Sequence, residues 1–276
     1  MEKNKLLPIP FPVFPVYIED SLLSPPMKIP IVEGIIDRRI LINYRVERSV
    51  LRKILPAPFR PVVVDGYGIV GIDLLRLRNM RAKGLPSYLG FNSENAAHRI
   101  SVEWDHLGTT KRGLYMPRLD TSSLTTTIAG GRVFPGLHHK SRFETEEKQG
   151  HYHLKMKNRD GTFINLTARQ TKKFPFESIF EDFFQAARFF ARDRVAYSPR
   201  FKQDIFDGVT LKCKNWKLYP LHVSELTASY FRNSSIYPPG SVFFDHALLM
   251  KNIHHEWHAH KELIASRPIR FAGFVL

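Results

Sequence analysis

Along residues 36–46, IDRRILINYRV, apolar and polar positions alternate with the two-residue period of a β-strand. The period then changes. In ERSVLRKILP, Val50, Leu51, Ile54 and Leu55 share one face of a short helix, and Pro56 ends it. PVVVDGYGIVGIDLLRLRN carries two apolar runs around Asp65-Gly66, a dipeptide suited to a hairpin turn. HRISVEWD sets Ile100, Val102 and Trp104 on one face and Arg99, Ser101, Glu103 and Asp105 on the other. HYHLKMK and TFINLTARQ flank Asn158-Arg159-Asp160-Gly161, a second hairpin, and 209–218 and 222–231 continue the β pattern. A long, mostly antiparallel sheet is predicted.

Helical spacing is scarce. Ser178 and Glu181 form a capping box, and Phe180, Phe183, Phe184, Ala187 and Phe190 follow at helical intervals, predicting a helix over 178–192. Leu249, Ile253, Trp257 and Ile264 predict another over 243–264. Residues 1–34 are rich in proline and predict an extended arm wrapped on the body. The uninterrupted pattern from 35 to 276 predicts a single domain.

Composition narrows the class. With 276 residues and 43% hydrophobic content the chain can bury a sizeable core. One cysteine, Cys213, allows no internal disulfide, fits a reducing compartment, and reads as a small core residue in LKCKNW. Prolines at 8, 10, 12 and 15 interrupt any signal-peptide core, and no run approaches the ~20 apolar residues of a membrane span. A soluble cytoplasmic protein without a membrane partner is expected. The net charge of +15 raises the question of nucleic acid, but the 41 basic residues are scattered without a block. A solvated basic surface, or attraction to anionic metabolites, is preferred.

Three features could carry chemistry. Asp73 lies inside GIVGIDLLRL, apolar on both faces, where a carboxylate must find a partner or change its pKa; pairing with an arginine and a role in a site both stay open. His254, His255, His258 and His260 resemble a metal cluster if 243–264 is helical, but HHEWH has alanine at 259 where H-E-x-x-H continues, and no other cluster supplies further ligands. A polar helix face is preferred. The stretch AGGRVFPGLHHKSRF, 129–143, gathers His138, His139 and Lys140 after a tight turn, where an amine among cations loses its proton readily and becomes a nucleophile toward carbonyls.

Several segments resemble, in matching order, the acetoacetate decarboxylase superfamily: YRVERSVLRKILPAPF at 44–59, SEN at 93–95, AGGRVFPGLHHKS, and FDHALLM at 244–250. The whole chain is similar to a subgroup of uncharacterised bacterial proteins beside that superfamily, through SENAAHR, GGRVFPGLHHK, AYSP and the late LLM. The resemblance implies a β-rich α+β fold, a closed antiparallel β-barrel or cone with a few peripheral helices and a small ligand inside. It places Glu94 on the family's loop glutamate, Asp73 on a second acid and Arg38, within one position of register, on the substrate-binding arginine. His139 falls where the Schiff-base lysine stands, and Lys140 keeps the second lysine.

Imidazole forms no stable Schiff base with a ketone, so unless Lys140 takes over that role the expectation is a His139 that acts as general acid or base, oriented by Glu94, or that simply binds a carboxylate. The resemblance thus implies His139, Lys140 and Glu94 as catalytic groups and Arg38, Asp73, His138 and Arg132 as substrate-binding groups, with no metal and no cofactor. The expected function is an enzyme acting on a carbonyl- or carboxylate-bearing metabolite. A non-enzymatic barrel binding a small anion is the alternative, and homo-oligomer formation stays open.

Overall fold

The computed structural model describes residues 30–123, 136–200 and 205–265. Among them are thirteen strands: β1 (Val32–Glu47), β2 (Arg60–Pro61), β3 (Val63–Val64), β4 (Tyr67–Ala82), β5 (Phe91–His106), β6 (Thr109–Thr121), β7 (His138–Lys148), β8 (His151–Asn158), β9 (Phe163–Gln170), β10 (Val195–Pro199), β11 (Ile205–Cys213), β12 (Tyr219–Ala228) and β13 (Val242–Ile264). Two α-helices accompany them, α1 (Arg48–Ile54) and α2 (Phe183–Ala191). All strands belong to one sheet, antiparallel except where β6 pairs with β7 and with β10.

The pairings close this sheet twice. One circuit runs β6-β10-β11-β13-β1-β4-β5 and returns to β6; the other runs β6-β7-β8-β9-β12-β13-β1-β4-β5 and also returns to β6. Strands β13, β1, β4, β5 and β6 are therefore walls of both enclosures. Ile40, Ile42, Ile72, Leu74, Leu154 and Leu166 fill the larger circuit. Leu41, Leu77, Leu248, Met250 and Ile253 face the smaller one, where Phe180, Phe189 and Phe190 of the α2 region join them. Burial on both faces explains why β1 from Arg38 to Tyr44 has no solvent side.

Hairpin chemistry was readable. Val64 pairs with Tyr67 across Asp65 and Gly66, whose φ values of 46° and 80° are those of the primed turn that Asp-Gly favours. α1 buries Val50 and Leu51 and stops before Pro56, as the spacing predicts. α2 is shorter than expected. Ser178 does not cap it but donates to Asp245 Oδ1 at 2.6 Å, and Asp182 becomes the N-cap, accepting from the Gln185 amide at 2.6 Å.

The predicted helix over 243–264 is instead the longest strand, β13. A strand buried on both sides shows a continuous apolar run, HALLM, rather than alternation. The four-residue spacing of Leu249 and Ile253 that mimics a helix joins opposite faces of the strand, Leu249 in the larger core and Ile253 in the smaller, with Asn252, at a φ of 53°, between them. Among the described residues no helix is long and apolar enough to cross a membrane.

Candidate functional site

Inside the smaller circuit lies a cavity of about 120 Å³. Its walls are mainly apolar, with Ile36, Leu75, Leu77, Leu114, Leu211 and Trp257 prominent. The polar groups on it include Arg39, Asp73, Asn95, Asp120, His138 and Ser198. Arg39, Asp73, Asn95 and Asp120 come from strands common to both circuits, where register decides which side chain meets the cavity.

At the centre of this face Asp73 is clamped by two arginines. Arg39 reaches its Oδ2 through Nε at 3.1 Å and Nη2 at 2.6 Å, and Arg99 reaches Oδ1 through Nε at 2.8 Å. Arg99 also donates to Asn43 Oδ1 and lies 5.0 Å over the Phe190 ring. Burial alone would raise the Asp73 pKa, but the two guanidiniums overcome it and hold the carboxyl below the usual carboxylate range. Two buried cations thus share one carboxylate. Nη1 of Arg39 is uncommitted among the described residues, while the Arg39 guanidinium lies 5.5 Å from the Trp216 ring centre.

Asp120 organises the far wall. It accepts two bonds of 2.8 Å from Arg118, one of 2.8 Å from Ser141 Oγ and one of 3.3 Å from Asn158. These ties hold β7 parallel to β6 in a register that pairs Leu119 with His138 and Asp120 with His139. His138, beside Leu119, consequently lines the cavity. His139, beside Asp120 in the register, is half-buried, and its charge adds to burial in lowering the pKa of His98.

Of the residues expected at the site, Asp73 and His138 lie on the cavity. Arg38 and Glu94 lie together in the other enclosure. Arg38, 1% exposed, pairs with Glu94 and, at 3.2 Å, with Glu147; Arg76 pairs with the same two carboxylates at 2.5 and 2.9 Å. Burial lowers the Arg38 pKa against the pull of Glu94 and Glu147. Lys140 is exposed, and its amine donates to the Ser122 carbonyl. Arg132 lies outside the described residues.

Sequence reasoning missed Arg39, Asn95 and Arg99. The first two stand one position from Arg38 and Glu94, and in a strand one position is the opposite face. The signal was present in the parity: Asp73 pairs with Ala97, so Asn95 and Arg99, at two positions on either side, share its face.

The four C-terminal histidines are spread along β13. His255 is buried, and burial lowers its pKa to about 4; His258 meets Glu256 at 2.7 Å and His260 meets Thr210 at 2.9 Å. In a strand, residues four apart stand about 13 Å from each other, not one helical turn. Among the described residues no group of three or more His, Cys, Asp or Glu side chains converges as metal ligands would. Cys213 is partly buried beside the α2-side core, and burial raises its thiol pKa.

No curated protein sequence matches the chain. The family DUF2071, described as an uncharacterized conserved protein, matches residues 36–249. Among solved structures the fold is similar to that of an acetoacetate decarboxylase-like enzyme from Sphingomonas wittichii RW1, with TM-score 0.54, 10% identity, and 88% of this chain and 97% of that one covered. It is also similar to acetoacetate decarboxylase from Legionella pneumophila, with TM-score 0.53, 13% identity, and 90% and 94% covered. The enduracididine biosynthesis enzyme MppR complexed with pyruvate gives TM-score 0.51, 12% identity, and 90% and 93% covered. At these identities the likeness is one of fold.

Proposed function

The chain belongs to the DUF2071 family and has an acetoacetate decarboxylase-like fold, and from that premise we propose that it is an enzyme acting on a small monoanion bearing a carboxylate or carbonyl, bound in the cavity of the smaller circuit. One observation carries the reading: Arg39 and Arg99 share the carboxylate of Asp73, and Arg39 faces a chamber whose walls are mainly apolar. A buried excess of one positive charge is costly, and an anionic ligand would relieve it. Nη1 of Arg39, uncommitted among the described residues, is the natural donor to that anion, and the apolar walls suit a short hydrocarbon body.

His138 on the opposite wall is the candidate general acid or base, since imidazole exchanges protons near neutral pH. Asn95 and Ser198 offer hydrogen bonds to a carbonyl oxygen. Among the described lining residues none is a lysine, which favours proton transfer over an iminium intermediate. Asp73 acts here as an orienting counter-charge, and the Arg38–Glu94 network as the rigid back of the same wall.

Pyruvate, the ligand named with MppR, is a suitable first probe beside acetoacetate and longer 2- and 3-oxo acids. Titration of the parent and of Arg39→Met should show binding that the variant loses, and NMR should show turnover or solvent deuterium exchange that His138→Ala abolishes. Equal affinities in parent and Arg39→Met would overturn the reading. Binding with no turnover of any probe would leave the second reading, a barrel that only holds small anions.

A further inference from the structure

We propose that the gap between β12 and β13 in the larger circuit is the docking site for an extended peptide of a partner protein, apolar at alternate positions and carrying a carboxylate, which adds to the sheet as a further strand. Among the described residues the two strands pair only at Tyr219–Leu221 and Ala247–Leu249. Beyond Leu221, β12 continues to Ala228 paired with β9 on one side; before Ala247, the stretch of β13 from Val242 to His246 is paired with β1 on one side. Residues 229–241, which join the two strands, place their backbone bonds on Phe163, on Glu47 and on one another. Among the described residues no backbone hydrogen bond therefore crosses the gap.

The two edges and the surface between them select the occupant. Strand edges with open N–H and C=O groups recruit another strand, and main-chain pairing with an extended peptide is how such an edge binds. From His222 to Ala228 β12 runs about 20 Å, room for about six extended residues. Between the edges lies a groove of about 340 Å³, lined by Val223 and Leu226 of β12, Val242 and Phe244 of β13, and the buried rings of Tyr44 and Phe231. The Tyr44 ring centre stands 4.8 Å from that of Phe231 and 6.0 Å from that of Phe244, and Phe244 is 41% exposed. An extended chain meets such a surface with every second side chain. Charge supplies the carboxylate. Arg232 lines the groove without an ion-pair partner among the described residues, whereas Glu225, on the same groove, already accepts from Asn165 at 2.7 Å and from Thr167 at 3.4 Å. The groove shares no lining residue with the cavity of the smaller circuit, so it is a second site.

A fluorescein-labelled heptapeptide of alternating valine and threonine, ending in a free aspartate, tests this against the full chain. Fluorescence polarisation should show saturable binding with a Kd below about 1 mM. The same peptide N-methylated at alternate amides cannot pair as a strand and should bind about tenfold more weakly or worse. Arg232 is exposed, so Arg232→Glu should leave the fold intact; it should weaken the aspartate peptide about tenfold and tighten one ending in lysine amide. Hydrogen exchange at amides 222–228 and 242–246 should slow when the peptide binds. No binding by the parent, equal affinity for the methylated peptide, an affinity indifferent to Arg232→Glu, or binding that leaves those amides unprotected overturns the proposal. Protection of those amides that rises with protein concentration in the absence of peptide also overturns it, by assigning the edges to a second copy.

Discussion

Arg38 and Arg39 are consecutive on β1, yet their guanidiniums lie in different enclosures: Arg38 meets Glu94 inside the larger circuit, and Arg39 meets Asp73 on the cavity of the smaller one. A strand shared by two barrels can hold two charged networks back to back with one peptide unit between them. The two arginines are similarly buried and similarly paired. Their consequences for ligand binding should nonetheless be opposite.

Replacing each by methionine separates them. Arg39→Met should lower affinity for pyruvate or its longer analogues by about tenfold or more, the scale of one lost charge-assisted hydrogen bond. Arg38→Met should leave affinity within a factor of about two, because its side chain never meets the cavity. It should lower unfolding free energy by about 2 kcal/mol, since Arg76 still neutralises Glu94 and Glu147. Calorimetric titration and urea unfolding read the two effects, and an affinity loss in Arg38→Met as large as that in Arg39→Met would refute the division.

Asp73→Asn removes the carboxylate that Arg39 and Arg99 share in hydrogen bonds of 2.6–3.1 Å. Leaving two buried guanidiniums unneutralised should cost about 3–5 kcal/mol, so the variant should unfold at markedly lower urea. The sign with pH follows from the depressed carboxyl pKa. The Asp73 contribution is present above the unfolded value near 3.9 and is lost as pH falls through the lower folded value. Parent stability should therefore decline below about pH 4 more steeply than that of Asp73→Asn, and parallel declines would show that Asp73 does not carry this dependence.

How much of this was legible before the structure depends on whether a strand had one buried face or two. The Asp65-Gly66 and Asn158–Gly161 hairpins were legible because turn chemistry is local. The shared walls β1, β4, β5 and β13 were legible as strands only where polar residues punctuated them; HALLM, buried on both sides, read as helix. Of the residues the resemblance points to, Asp73 and His138 line the cavity. At SEN and DRR neighbouring positions part company, because consecutive residues of a strand face opposite sides: Asn95 and Arg39 line this cavity, and Glu94 and Arg38 pair in the other enclosure. Asp193, buried at the same enclosure between Arg112 and Ser101 at 2.8 and 2.9 Å, carried no sequence signal at all, since its partners are 81 and 92 positions away.

Lys140 provides a direct test of iminium chemistry. Its side chain is exposed and bonded to the Ser122 carbonyl, and it shares the face of Thr121 rather than that of Asp120. Incubation with pyruvate or acetoacetate and borohydride should leave the peptide containing Lys140 unmodified, and Lys140→Ala should keep at least half of any activity found. A reduced adduct on Lys140 would restore the Schiff-base route.

His98 predicts the protein's behaviour in mild acid. The ring is fully buried on β5, 4.5 Å from the Tyr230 ring centre, with Nδ1 4.0 Å from Asp120 Oδ2. Burial lowers its pKa to about 4 despite Asp120. A histidine whose folded pKa lies below the unfolded 6.5 stabilises the fold above 6.5 and loses that contribution as pH falls toward 4. The span corresponds to a loss on the order of 3 kcal/mol, to which buried His255, also near 4, adds in the same direction. Urea midpoints measured from pH 7.5 to 4.5 should fall for the parent. They should fall less for His98→Phe, whose aromatic ring keeps the contact with Tyr230 and carries no proton, and equal slopes for the two proteins would remove His98 as the cause.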